Sequence, residues 1–230
     1  MQTKKQLIFR WFFYLGGLII LALGITLNTK TNLGVSPIIS VAFGVATLTG
    51  TNFGDITFLW YVLFVLVEIM IHTVRHVDHL KAEIIKDILQ IPVSLGFTRF
   101  MNLFSDTIPV FNEVYPDTLI GSMPGRMFML LIAISFTGIG VAMSVNTRFI
   151  PNPGDGIVLA ISDAWGKPVG FTKNCFDALC ITMTIIISLI FSGHLIGVGI
   201  GTVATVIGVG RVVALYNHFF KKKTMSLYGM

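Results

Sequence analysis

From Trp11 to Asn28 the chain carries no charged residue, and seven further apolar runs follow at 37–49, 56–74, 85–104, 127–145, 156–165, 175–192 and 195–219. A chain that repeats such runs over its whole length is solvated mainly by lipid. Hydrophobic residues make up 54% of it and charged residues only 12%, against about 25% charged in soluble domains. The expected class is an all-helical polytopic membrane protein.

Run length then sorts the helices. Crossing a hydrocarbon core of about 30 Å takes about 20 residues, and the runs at 37–49 and 156–165 are too short. Each follows a Gly/Pro break, "NLGVSP" (Asn32–Pro37) in one case and "PNPGDG" (Pro151–Gly156) in the other. The N-terminal run has the basic start of a signal peptide (Lys4, Lys5, Arg10) but no small-residue cleavage site after it, so it is expected to persist as the first helix. Cys175 and Cys180 lie five apart on one run, where a helix turns them about 140° from each other. They read as apolar filler.

The two halves of the chain match. Asn28-Thr29-Lys30 answers to Asn146-Thr147-Arg148 at an offset of 118, Gly50 and Gly54 to Gly166 and Gly170 at 116, and Gly96 and Arg99 to Gly208 and Arg211 at 112. Each half reads long, short, long, long. The expected organisation is a first membrane repeat over 1–110, an extracytoplasmic loop over 111–125, a second repeat over 126–220 and a basic cytoplasmic tail over 221–230.

Loop charge decides between eight crossings and six. Eight crossings leave nine Lys and Arg inside and five outside. If the short runs dip in and return, Arg75, Lys81, Lys86 and Arg148 move inside and Arg126 moves out, which gives twelve against two, with Arg99 and Arg211 counted as membrane-embedded. The positive-inside rule favours the second arrangement. It has six transmembrane helices, two short re-entrant half-helices and both termini cytoplasmic. Three crossings per half make the second repeat inverted relative to the first. Inverted repeats with broken helices at matching positions place a binding site near the bilayer midplane. The competing reading of "PNPGDG" is a plain turn at the cytoplasmic surface.

Three segments, "LGITLNTKTNLGVSP", "IPNPGDGIVLAIS" and "GTVATVIGVGRVVALY", together resemble the YczE/YitT-like group of bacterial integral membrane proteins. The resemblance covers nearly the whole chain apart from the 105–125 loop and the C-terminal tail. It implies a multi-pass protein of the bacterial cell membrane whose function is poorly defined. It supplies no substrate.

The candidate substrate-binding residues follow from the two breaks. Ser36 can cap a half-helix and Pro37 suits its first turn. Asp155 can cap the equivalent half-helix after Pro153, with Gly154 and Gly156 letting other groups approach the backbone. Helix N-termini attract anions, which Asp155 opposes unless it is protonated or paired. Caps alone are the bland alternative for Ser36 and Asp155. Arg99 and Arg211 sit within apolar runs at equivalent repeat positions. They either partner a substrate or Asp155, or snorkel to the headgroups. Glu68, Asp163, Asp177, Asn28 and Asn146 are weaker candidates.

Other signals are discounted. His72, His76 and His79 have metal-like helical spacing, but Arg75, Asp78 and Lys81 beside them suit a solvated interfacial helix. "GVGIGT" (Gly197–Thr202) lacks the strand and lysine of a nucleotide loop, and reads as a close helix contact through Gly197 and Gly201. Neither G-x-S-x-G nor H-E-x-x-H occurs, which leaves an intramembrane hydrolase little support; no enzyme, cofactor or metal site is expected, and Lys and Arg that flank apolar runs do not suggest a nucleic-acid partner. The leading function is passage of a small solute, anionic rather than cationic if charged, by a transporter or channel. The rival is a membrane accessory or regulatory protein that binds a partner or lipid. A homo-oligomer fits either.

Overall fold

A computed structural model describes residues 3–77 and 79–228. Among them the chain forms helices α1 (Lys4–Lys30), α2 (Pro37–Thr49), α3 (Phe53–Val74), α4 (Leu80–Thr107), α5 (Phe111–Val114), α6 (Met123–Asn146), α7 (Pro153–Trp165), α8 (Val169–Ser192) and α9 (Ile200–Tyr228), and no strand. Local chemistry sets the ends. Thr3 and Gln6 form a reciprocal capping box at α1, and Asn52, Ser122 and Asn152 cap α3, α6 and α7 through their side chains. Such caps satisfy backbone N–H groups that have no partner within the helix.

Five helices, α1, α3, α6, α8 and α9, are long and apolar enough to cross a membrane. α4 has the length, at 28 residues, but not the composition. Its polar residues Asp87, Gln90, Ser94 and Thr98 are buried, while Ile85, Ile88, Leu89, Leu95 and Leu103 are exposed. The polar stripe therefore faces protein and the apolar face points outward. Lys221–Lys223 continue α9 rather than forming a separate tail. The short α5 within the 111–125 loop is an element the apolar pattern does not announce.

The chain forms two compact units, each drawing on both halves of the sequence. One holds the residues up to Ser36, Leu103–Phe149 and those from Gly199 onward. In it α1 and α6 run antiparallel at backbone contact. Gly17 lies against Gly140 and Ser144, and Gly24 against Ala133 and Thr137. A Cβ added at Gly24 would sit 2.5 Å from the Thr137 nitrogen, and one at Gly140 2.5 Å from the Leu21 nitrogen. Small residues let membrane helices approach this closely. α9 packs on α6 with Gly138 against Val212 and Gly208 against Ile134. Asn28 donates to Thr205 Oγ1 at 3.0 Å and Asn146 to Asn217 Oδ1 at 2.8 Å. Arg10 donates to the Thr147 carbonyl at 2.7 Å and lies over the Phe149 ring.

The "GVGIGT" expectation is corrected here. Gly197 has φ +73° and belongs to the turn before α9, so it shares no helical face with Gly201. Gly201 makes its close approach together with Gly199, both against the Leu33–Gly34 backbone, and donates to the Leu33 carbonyl at 2.7 Å.

The other unit holds Pro37–Asn102 and Ile150–Val198. α2 packs on α8 and α7 packs on α3. α3 and α4 form an antiparallel pair, with Gly54 against Thr98, Tyr61 stacked on Phe97, Glu68 bonded to Gln90 and His72 bonded to Asp87.

Structural landmarks recur at one offset, 116. Thr31 and Thr147 are the C-caps of α1 and α6, and Asn32 and Arg148 after them both take positive φ, +52° and +51°. α2 and α7 start at Pro37 and Pro153 and end at Thr49 and Trp165, 13 residues each. Gly50 and Gly166 follow at φ +65° and +63°, and α3 and α8 begin at Phe53 and Val169. The Asn28/Asn146 match at 118 is thus two residues out of register with the caps.

Candidate functional site

The break before α7 is built by Asn152. Its side chain accepts from the Gly154 N–H at 3.1 Å, and its carbonyl accepts from Asp155 and Gly156 at 2.8 and 2.9 Å. Pro153 takes the first helical position, where its missing N–H costs nothing. The capping role expected of Asp155 belongs to Asn152. Asp155 is instead the third helical residue, half-buried, with Lys173 and Asp177 of α8 as its charged neighbours. A cap must precede the first turn to reach back into it, and Asp155 lies inside that turn.

The first turns of α2 and α7 touch: a Cβ on Gly154 would lie 3.3 Å from Ile38 Cγ2. Pro37, Pro153, Gly154 and Gly156 are buried. Ser36 is half-buried, and among the described residues it makes no capping bond at α2.

Gly156 carries the most crowded face of α7. A Cβ there would lie 2.7 and 2.8 Å from the two carboxyl oxygens of Glu68 and 2.9 Å from Gln90 Oε1. Glu68 and Gln90 are each 1% exposed, and Gln90 Nε2 donates to Glu68 Oε2 at 2.6 Å. Glu68 Oε1 and Gln90 Oε1 are buried with no protein partner. Asn152 faces Tyr61, itself 1% exposed. Two acceptors, Glu68 Oε1 and Gln90 Oε1, thus stand unsatisfied around the α7 break, while the Asn152 amide has the Tyr61 hydroxyl as its neighbour. Buried polar groups are nearly always partnered, and leaving each without a partner costs about 1–3 kcal/mol.

The arginines go elsewhere. Arg99 Nη2 pairs with Asp55 Oδ1 at 2.6 Å in the first turn of α3, both side chains about half exposed, so its partner is Asp55 and not Asp155. Arg211 is exposed on α9, in the other unit.

The histidine reading changes too. α3 ends at Val74, and His76 and His79 both take positive φ, so the three rings share no helical face. His72 is engaged, 2.8 Å from Asp87 Oδ2. It lines a polar cavity of about 520 Å³ with Arg75, His76, Glu83 and Asp163. Asp78 lies outside the described residues. Cys175 and Cys180 are free thiols, and they border an apolar cavity of about 470 Å³ between α3, α7 and α8.

Gln90 and the Asp87–His72 pair were not singled out in the sequence. Their signal was the spacing of Asp87, Gln90, Ser94 and Thr98, three or four residues apart along an apolar run, which marks one inward helical face.

The profile of a family described as "Family of unknown function (DUF6198)" matches residues 8–218. Two proteins of Bacillus subtilis (strain 168) are similar over most of their length. "Uncharacterized protein YyaS" is 24% identical over 93% of this chain and 97% of its own. "Uncharacterized membrane protein YczE" is 22% identical over 91% and 86%. No solved structure matches.

Proposed function

This chain belongs to the family of unknown function DUF6198, and we propose that within it the protein passes a small solute across the bilayer, as a transporter or channel, at the α7 break. That it is an integral membrane protein rests on its apolar helices and its membrane-protein relative. The observation that carries the solute reading is the pair of buried acceptor oxygens, Glu68 Oε1 and Gln90 Oε1, that stand unsatisfied against Gly156. Ionisable residues within membrane segments are costly and mark substrate or ion pathways. Irregular backbone at membrane depth is tolerated where protein or a water-filled cavity surrounds it.

Three features support two inverted repeats with re-entrant α2 and α7. The equivalent helices α1 and α6 run antiparallel. The landmarks recur at one offset. The packing is reciprocal, short helix of one half on long helix of the other. The lining changes the expected substrate charge. The Glu68 carboxyl group and the unpartnered acceptor oxygens favour a cation or a hydrogen-bond donor over an anion.

A solute screen by thermal denaturation of the purified protein tests this reading. A bound solute at 100 times its Kd adds about 2.7 kcal/mol, and the gain should vanish in Glu68→Gln. A protein stabilised by no solute, which co-purifies with a constant protein partner, is an accessory protein instead. Topology is checked by single cysteines at Asn112 and His79 on a background lacking Cys175 and Cys180. An impermeant reagent should label them from opposite sides. Labelling from one side breaks the inverted-repeat arrangement.

A further inference from the structure

We propose that Glu68 is a proton-binding residue, loaded and unloaded through the Asp87–His72 pair from the polar cavity that His72 lines. As a coupling site it rests on the solute reading above; as a proton site it stands without it.

The argument starts from hydrogen-bond complementarity. An ionised carboxylate offers only acceptors, and a primary amide offers one acceptor and two donors. Gln90 already donates to Glu68 Oε2. What remains is Glu68 Oε1 and Gln90 Oε1, two buried oxygens on the same side of Gly156, neither with a partner. With Glu68 ionised, a desolvated charge would sit beside a carbonyl oxygen with a single donor to hold it. One proton on Glu68 Oε1 reverses this. The acid O–H donates to the amide oxygen while the amide N–H donates to the acid, and both orphaned acceptors are satisfied together.

Among the described residues no lysine or arginine acts on Glu68 to hold the ionised form. From α4 the charged group that acts on Glu68 is Asp87, itself an acid, held by His72. From α7 the nearby acid is Asp155, whose charged neighbours Lys173 and Asp177 of α8 pair with each other at 3.3 Å. Burial without a counter-charge disfavours a carboxylate.

A route to solvent follows from helical geometry. Glu68 and His72 are four apart on α3, and Asp87 and Gln90 three apart on α4, so Glu68–Gln90 and His72–Asp87 are adjacent rungs of one helix pair. Asp87 is 3% exposed, whereas the His72 side chain is 16% exposed and borders the polar cavity of about 520 Å³. On unloading, the Glu68 O–H bond breaks and its proton passes along Asp87 and His72 to water in that cavity. Glu68 is left as a carboxylate on the Gln90 amide.

Infrared difference spectroscopy of the purified protein tests this directly. At neutral pH the parent should show the carbonyl band of a protonated carboxyl group that shifts in D₂O. Glu68→Gln should lack that band, and Gln90→Met should keep it at a displaced frequency. His72→Leu should retain the band but slow its hydrogen–deuterium exchange by at least about tenfold. A parent spectrum identical to that of Glu68→Gln, with thermal stability that responds to sodium instead of pH, makes this a metal-cation site and overturns the proposal. Should Glu68→Gln fail to fold, an unmoved band in Gln90→Met overturns it equally. Unchanged exchange in His72→Leu rejects the route. A protein that shows the band yet moves no solute keeps the proton site and removes the solute reading.

Discussion

Two crossings in the same unit occupy equivalent positions at the 116-residue offset and are chemically opposite. Where α2 crosses α8, Ser40 meets Thr184 at 2.6 Å, one hydroxyl donating to the other while the second donates to its own helix, at Pro37 O or Cys180 O. Where α7 crosses α3, the equivalent residues are Gly156 and Glu68, with Gln90 beside them. The first crossing is neutral and closed. The second trades a side chain on the short helix for a carboxyl group on the long one, and leaves acceptor oxygens unmet. Of two crossings at one sequence offset, one is thus a closed polar joint and the other holds unpartnered acceptors. The offset tells which residues correspond; the difference between them tells where to look for function.

The largest test of this contrast is Gly156→Ala. Its methyl group would collide with three oxygens, and overpacking costs about 1–3 kcal/mol, read as a lower thermal midpoint in detergent. The double variant Gly156→Ser with Glu68→Thr rebuilds the α2–α8 pairing at the α7–α3 crossing. It should recover most of that stability while losing solute binding. If the double variant is no more stable than Gly156→Ala, the two crossings are not interchangeable.

Next comes the cap that distinguishes the two breaks. Asn152→Ala removes the acceptor for the Gly154 N–H and should cost about 0.5–2 kcal/mol. Asp155→Asn should leave stability unchanged, because Asp155 caps nothing. Equal losses in the two variants would return the capping role to Asp155.

The smallest effect is expected on the closed side. Gly44 is buried in α2 with only Thr184 Cγ2 near its pro-Cβ position, at 3.6 Å, and its equivalent in α7 is already Ala160. Gly44→Ala should therefore gain about 0.4–1 kcal/mol by restricting the unfolded chain. A loss there would show that α2 needs space at this crossing.

Much of this architecture was legible from apolar run length and Gly/Pro punctuation, which are local properties. The short helix at 37–49 and both Gly/Pro breaks were legible, whereas the second short helix, read as 156–165, begins three residues earlier at Pro153 because Asn152 caps it. Partner choice was not legible. Arg99 has two acids within reach of a sequence argument, and nothing in the residue order shows that α3 and α4 pair so as to bring Asp55 to it. The capping error has the same root. Asn152 and Asp155 are both good caps, and only the position where helical dihedrals begin decides between them. Gln90 was passed over because an amide in an apolar run carries no charge to draw notice. Its meaning depends on Glu68, 22 residues earlier and on another helix.

The inward polar stripe of α4 bears on how the protein reaches its membrane. An ionised side chain at the centre of an isolated helix costs about 2.5–3.5 kcal/mol on insertion scales, and α4 brings Asp87, Gln90, Ser94 and Thr98 with few compensating residues on that face. Presented alone to the insertion machinery, α4 is a poor substrate. Presented with α3, it arrives with Glu68 meeting Gln90 and His72 meeting Asp87, so the polar groups enter already matched. For a crossing α4, the expected unit of insertion is a hairpin with α3. The order of synthesis, α3 just ahead of α4, makes the first helix the host for the second.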